Sequence, residues 1–476
     1  MPSALGRRRP SVEQERQIYA QVVETMDYPE PSSLIHHVAE TRAARVAPAD
    51  LLPLWREAAA SASEEAAWNM YLHVPFCKSI CTFCNYKRLK VSSREALDDY
   101  VTFIEQEARL FGPALAGVEF GALYVGGGTP SVLAADQLRR LLMALHESFT
   151  FAPGAQKNFE FDPMVMTADR YEVIAELGFT RYSFGIQSVD VEVNALHNRG
   201  RQQRGHIDKQ FALLEEHGAE SANVDFLVGL DGTTPEGMLA EIEEVLTKHR
   251  PYEVTVYFLH PTPAYVDAHF GGDFARFQAH LAPFEALLPP ALAELAPRID
   301  YLIGGDGRHV INLSNTRRKP APARAQSQHY HYCDVPSQVH RPLYLLGLGD
   351  SARSRIFGRL GYRAVYDSDD PDPSVPRYLA STMTLADEMF AYLAFVFRDG
   401  EELSRPLFRR TFGVDVTEAL GKSLAKLHQL GVITVDDERV TFARQSRQER
   451  MRDLLFFLPP GRRRELAADL ARSPRR

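Results

Sequence analysis

Tyr71-Leu72-His73-Val74-Pro75-Phe76-Cys77-Lys78-Ser79-Ile80-Cys81-Thr82-Phe83-Cys84 runs from an apolar, strand-like segment into a loop with three cysteines, spaced C-x3-C-x2-C. The chain has 476 residues and one further cysteine, Cys333. Four cysteines cannot staple so long a chain, and in a reducing compartment clustered thiols bind metal more often than they pair. Three thiolates on one loop suit three irons of a [4Fe–4S] cluster and leave the fourth iron open to another ligand. Structural zinc normally wants four closed ligands, so a zinc reading needs His73 as the fourth.

Composition agrees with a folded, cytoplasmic protein. Hydrophobic residues make up 45% and charged residues 24%, ordinary for a globular chain. Lys plus Arg number 54 against 62 Asp plus Glu, a net charge of −8, which disfavours nucleic acid as a partner. No run of 18 apolar residues is present, so no membrane span is expected. The early Arg7-Arg8-Arg9 run lacks the apolar stretch a signal needs. A monomer is expected.

Around the cysteine loop, strands and helices alternate. Strand-like runs fall at Trp68–Val74, Phe120–Val125, Asn158–Phe161, Arg181–Ile186, Asn223–Val228 and Glu253–Leu259, with helix-like stretches between them. Six such units predict a parallel sheet with helical crossovers, in an α/β fold that suits a partial β/α barrel. The rest divides into an N-terminal helical extension over 1–66, the barrel over 67–265, and an irregular, proline-rich substrate-side region and linker over 266–376. A winged-helix-like module over 377–458 and a basic tail over 459–476 complete the expected organisation.

The cysteine loop stands at the C-terminal end of the first strand, where β/α barrels place active sites. Its spacing and placement resemble the radical S-adenosylmethionine (SAM) superfamily. The resemblance implies a partial (β/α)6 barrel and a cluster on Cys77, Cys81 and Cys84. It also implies SAM on the open iron and reductive cleavage to methionine and a 5′-deoxyadenosyl radical. The wider pattern narrows the likeness. The cysteine segment is followed by Gly126-Gly127-Gly128-Thr129-Pro130, Glu160-Phe161-Asp162-Pro163 and Phe184-Gly185-Ile186-Gln187-Ser188. Together these resemble the oxygen-independent coproporphyrinogen III oxidase family from about Trp68 to Pro263, and again at Leu346-Gly347-Leu348-Gly349 and in the C-terminal module.

Residue by residue, the resemblance implies SAM contacts at Tyr71, Phe83, Thr129, Glu160, Gln187, Arg199, Asp225 and the backbone of Leu259. Gly127 and Gly128 would permit close backbone approach to SAM. An Arg can pair a methionine carboxylate through two bonds. Two SAM molecules are expected, as both the oxidases and the methyltransferases of this scaffold use two. A flavodoxin or ferredoxin would supply electrons. His260 reads either as a catalytic acid or as a packed strand-end histidine, and Cys333 as a hydrogen donor or an inert thiol. His329 and His331 could ligate heme iron or lie exposed on a loop.

The chain also departs from the family. A further cysteine usual two residues after the third is replaced within Asn85-Tyr86, and Asp350 follows Gly349 where a small or apolar residue is usual. The heme-chaperone motif HNxxYW is absent, and Gln328-His329-Tyr330-His331-Tyr332-Cys333 stands in that region. These departures direct the expectation to a small-molecule substrate other than a porphyrin, with methyl or methylene transfer to an sp2 carbon. The alternatives are tetrapyrrole chemistry, by coproporphyrinogen decarboxylation or radical heme opening, and heme binding by a chaperone on the same fold.

Overall fold

The computed structural model describes residues 11–24, 43–305, 310–317, 340–367, 376–399, 402–443 and 447–463. The expected strands form: β2 (Ala67–Val74), β5 (Glu119–Gly127), β6 (Thr150–Phe161), β7 (Arg181–Gln187), β8 (Ser221–Val228) and β9 (Glu253–Phe258). They lie side by side and parallel in that order, with β12 (Leu343–Leu348) parallel to β2 on the other side. Between β2 and β5 the chain makes two short strands, β3 (Phe76–Cys77) and β4 (Leu89–Lys90). The sheet goes on past the six units. On the β9 side come β11 (Val310–Asn315) and then β10 (Tyr301–Gly305), both through antiparallel pairs. Beyond β12 follow β13 (Arg353–Ile356), β14 (Leu360–Val365), β15 (Arg377–Thr382) and β1 (Ala44–Val46), all antiparallel.

The fold is α/β, a partial barrel. Alternation along each strand sorts its residues. On β8, Ala222, Val224, Phe226 and Val228 are buried against the helices, while Asn223 and Asp225 face the concave side. Crossover helices such as Arg94–Phe111 and Ala135–Ser148 cover the convex face with Leu97, Val101, Ile104, Leu138, Leu141 and Leu145.

The region after β9 is more regular than its prolines suggest. Helices span Pro263–Phe270 and Phe274–Arg298, the second carrying Pro283, Pro289, Pro290 and Pro297. An interior proline costs about 3 kcal/mol, yet Phe277, Leu281, Phe284, Leu288 and Leu292 form one buried stripe at helical spacing. Each such side chain contributes about 1.5–3 kcal/mol on burial, and the stripe keeps the helix. The N-terminal stretch does not act as one unit. The helix Pro48–Ser61 lies on the sheet, where Trp55 Nε1 donates to Tyr362 Oη at 2.7 Å. The helix Val12–Glu24 instead packs on the C-terminal module, with Arg16 on Asp453 at 3.0 Å and Tyr19 edge-on to Phe456.

That module is winged-helix-like: helix Leu385–Asp399, β16 (Glu402–Ser404), helices Arg405–Phe412 and Val416–Gln429, then β17 (Ile433–Val435) and β18 (Arg439–Phe442). It meets the sheet through the buried pair Arg355–Glu388 at 3.1 Å and the stacked rings of Phe357 and Phe412. The start of the basic tail is docked, with Arg462 on Asp387 and Arg463 on Glu15. Most of the linker and tail, with Cys333, His329 and His331, lies outside the described residues. Among the described residues no helix is long and apolar enough to cross a membrane.

Candidate active site

β2 delivers the chain to the barrel mouth, and Pro75 turns it into β3, which pairs with β4. Leu89 N donates to Pro75 O at 2.8 Å and Val91 N to Cys77 O at 3.0 Å, closing the segment that carries Cys77, Cys81 and Cys84 into a loop. All three are free thiols and partly buried. Burial pushes Cys77 up to about 11, against a hydrogen bond from Thr129 Oγ1 at 3.4 Å. It also raises Cys81, against the opposing charge of Arg199.

The glycine turn after β5 packs on this loop. A Cβ at Gly128 would fall 2.6 Å from Pro75 O, and one at Gly127 (φ 117°) would fall 2.8 Å from the His73 ring. The close approach of these glycines is therefore to β2 and the cysteine loop. Gly128 N and Thr129 N donate to Val74 O and Phe76 O, both at 2.8 Å. Both ring nitrogens of His73 face partners other than the thiols. Its Nδ1 accepts from Tyr71 Oη at 2.9 Å, while Nε2 faces Lys87 O at 3.4 Å. That removes the zinc reading. Among the described residues no three donors converge as they would on a single ion.

Polar side chains converge on the concave side. Glu160, on β6, accepts from Tyr124 Oη and from Gly127 N at 3.1 Å, and burial raises its carboxyl. Tyr71 and Tyr124 lie ring to ring at 6.0 Å. Asp225, on β8, is pushed up to about 7 by burial, against a hydrogen bond from Asn223 Nδ2 at 2.7 Å. Asn223 is fixed in turn by Ser183 Oγ at 3.1 Å and Thr255 Oγ1 at 3.0 Å. Gln187 ends β7 at φ 66°, where the pairing with β8 slips register. Arg199 donates to Gly185 O and stands 3.4 Å from Asp162, and its charge acts on Cys77 and Cys81. Its Nε is buried with no hydrogen-bond partner.

The structure thus brings Tyr71, Gly127, Gly128, Thr129, Glu160, Gln187, Arg199 and Asp225 to the end of the barrel that holds the three thiols. The other expected residues have the following surroundings. Phe83 packs edge-on to His197 at 6.0 Å. Leu259 is buried, its N donating to Val228 O at 2.9 Å. His260 is exposed just after β9. Cys333 is outside the described residues.

Tyr86 and Tyr257 were not expected from the sequence. Tyr86 is 70% exposed, and the protein around its phenol, with the charges of Glu160, Asp225 and Cys84, pushes it up to about 12, which places it at the solvent-open rim of the mouth. Burial, with the charges of Asp225 and Glu160, raises Tyr257 as well. Strand alternation could have placed Tyr257 on the face of Thr255. Nothing local marks Tyr86.

A model of the Radical SAM superfamily matches residues 71–245. An oxygen-independent coproporphyrinogen III oxidase of Paracoccus denitrificans is 30% identical over 315 residues, 64% of this chain and 66% of that protein. An anaerobic coproporphyrinogen III oxidase of Cereibacter sphaeroides is 28% identical over 401 residues, 80% and 83% of the two chains. This chain belongs to the radical SAM superfamily, in its coproporphyrinogen III oxidase-like family. Some relatives match over less of their length: the protein of Escherichia coli K12, 34% identical over 184 residues, is covered to 39%. The solved coproporphyrinogen III oxidase of Escherichia coli shares the fold of this radical SAM chain. The TM-score is 0.66 at 23% identity, covering 85% of this chain and 92% of that one.

The named relatives are oxidases, so the expectation of methyl transfer gains no support from them. The donor set itself fits a [4Fe–4S] cluster. Each thiolate would take a separate iron, and the three free thiols lie on one loop. A bound metal would hold the buried Cys77 and Cys81 as thiolates, and Arg199 Nε, buried without a hydrogen-bond partner among the described residues, leaves a donor whose charge acts on the same loop.

Proposed function

We propose that this chain is a radical SAM oxidoreductase acting on a tetrapyrrole-class substrate of the kind coproporphyrinogen III represents. The observation that carries this is the alignment of 80% of the chain with an anaerobic coproporphyrinogen III oxidase; the three-thiol loop and its carboxylate-lined mouth lie within the radical SAM match. Cys77, Cys81 and Cys84 would hold the cluster. Tyr71, Thr129, Glu160, Gln187, Arg199 and Asp225 would stand around SAM. When bound, the pair supplies a carbon radical able to abstract hydrogen.

The chain's own residues do the positioning. Gly127 N and the Tyr124 hydroxyl fix Glu160 as an acceptor for an ammonium or hydroxyl. The Arg199 guanidinium, tied to Gly185 O and near Asp162, offers charge to a carboxylate. Asp225, with its carboxyl at about 7, can hold or release a proton near neutral pH. A flavodoxin or ferredoxin would supply electrons, and His260 would stand at the rim.

The test is anaerobic. Reconstituted with iron and sulfide, reduced and given SAM, the protein should form 5′-deoxyadenosine, and Cys81→Ala should abolish it. Coproporphyrinogen III should raise the yield and lose carboxyl groups. Incorporation of deuterium from methyl-deuterated SAM into a product, with no oxidation of the tetrapyrrole, would overturn the reading in favour of methyl transfer.

A further inference from the structure

Thr82 lies between two of the three loop cysteines, and its side chain is held from the far side of the barrel mouth. Thr82 Oγ1 is 2.9 Å from His197 Nδ1 and 3.2 Å from His269 Nε2. His197 Nε2 reaches Asp231 O at 3.0 Å, and His269 Nδ1 faces Asp231 Oδ2 at 3.3 Å. The carbonyl of Asp231 can only accept, which places a proton on His197 Nε2 and leaves Nδ1 to accept from the Thr82 hydroxyl. The Thr82 oxygen can then accept from His269 Nε2, whose other ring nitrogen lies 3.3 Å from the Asp231 carboxylate.

The two histidine rings are buried and closely packed. His197 is fully buried and the His269 ring is only 7% exposed. The two rings lie 4.6 Å apart, and Tyr265 stacks on His269 at 4.5 Å. The Tyr265 hydroxyl accepts from Asp231 N at 2.9 Å, and the backbone N of Thr82 donates to His197 O at 3.2 Å. The loop is thereby tied to the short helix Val191–Leu196, to the turn after β8 and to the helix Pro263–Phe270.

We infer that Thr82, His197, His269 and Asp231 are positioning residues, a hydrogen-bonded clamp that sets the geometry of the cysteine loop and so its hold on iron. None of the four side chains reaches a thiol in the contacts above, so the effect is transmitted through the loop backbone. Metal sites depend on such outer partners, whose loss typically costs 10–100-fold in affinity. The inference rests on the reading of Cys77, Cys81 and Cys84 as cluster ligands, and its test separates the two.

Wild type, Thr82→Val, Thr82→Ser and Asp231→Asn are reconstituted anaerobically, and iron loss to an excess of a ferrous chelator is followed by absorbance. Thr82→Val keeps the volume and removes the hydroxyl. It should release iron about ten-fold faster, with a changed electron paramagnetic resonance signal of the reduced cluster. Thr82→Ser should behave as wild type, and Asp231→Asn should fall between. Equal release rates and signals for wild type and Thr82→Val would overturn the clamp. Absence of any bound cluster in wild type would instead overturn the ligand reading.

Should Thr82→Val fail to fold, hydrogen exchange in Asp231→Asn decides. Faster exchange of the 78–86 backbone, with unchanged exchange in β5 and β6, supports the clamp. Unchanged exchange there refutes it.

Discussion

Replacing Glu107 by Gln should make this protein less sensitive to alkali. Glu107 is fully buried on the helix Arg94–Phe111. One carboxylate oxygen accepts from Gly349 N at 2.6 Å and the other from Tyr378 Oη at 2.9 Å. Burial outweighs both bonds and pushes the carboxyl up to about 8. An unfolded Glu titrates near 4.3, and each unit of difference is worth about 1.4 kcal/mol. Between these two values the folded chain keeps a proton that the unfolded chain has lost. Stability from this group is therefore full at low pH and falls as pH rises through the window. From pH 6 to pH 8 the loss comes to about 2 kcal/mol, and the full difference at high pH to about 4–5 kcal/mol. A glutamine keeps an acceptor for Gly349 and a donor for Tyr378 and cannot ionise. Urea unfolding followed by circular dichroism at pH 6 and pH 8 should show wild type losing that increment relative to Glu107→Gln. Parallel pH dependence in the two proteins would refute the reasoning.

The same junction predicts that Gly349→Ala is severely destabilising. At φ 92° an added Cβ would sit 2.4 Å from His73 O and 2.6 Å from Tyr100 Oη, so a loss above about 3 kcal/mol is expected in thermal melts. Arg355→Ala leaves the Glu388 carboxylate buried without its 3.1 Å partner. It should cost about 3–5 kcal/mol, seen as earlier release of the winged-helix-like module in limited proteolysis. Tyr86→Ala should leave iron content and substrate-free SAM cleavage within about two-fold, while substrate-dependent turnover falls about ten-fold; equal losses in both assays would show that Tyr86 serves the cofactor instead.

The six core strands were legible because parallel strands buried on both faces read as apolar, β-branched runs. Where β6 extends over Thr150–Lys157, that signal fails: Pro153, Gly154, Gln156 and Lys157 carry no apolar pattern, and the strand is defined by pairing with β5. The helix Phe274–Arg298 was hidden for the opposite reason. Its four prolines spoke against a helix, while the tertiary burial of the Phe277–Leu292 stripe decided the outcome. In the site, the thiols were visible through their local spacing, and Glu160 and Asp225 only through the resemblance of the segments around them to the coproporphyrinogen III oxidase family. His197, Asp231 and His269 carry no local pattern. They are 34 and 38 residues apart and meet only because successive crossover turns share one end of the barrel.

The missing family cysteine takes on a physical meaning at that same end. The segment Asn85-Tyr86 follows Cys84, and Tyr86 stands in the mouth under the influence of Glu160 and Asp225. A thiol there would be a soft ligand or a hydrogen donor. A phenol held up to about 12 keeps its proton through the physiological range and offers a directed donor on an aromatic face. Tyr257, raised in the same way, adds a second phenol. The mouth therefore sets two neutral hydroxyl donors beside the carboxyls of Glu160 and Asp225, both raised by burial. Such a rim offers hydrogen-bond donors to carboxylate or carbonyl oxygens of a substrate. The Asn85-Tyr86 segment thus changes the mouth beside the three thiols and not the thiols themselves.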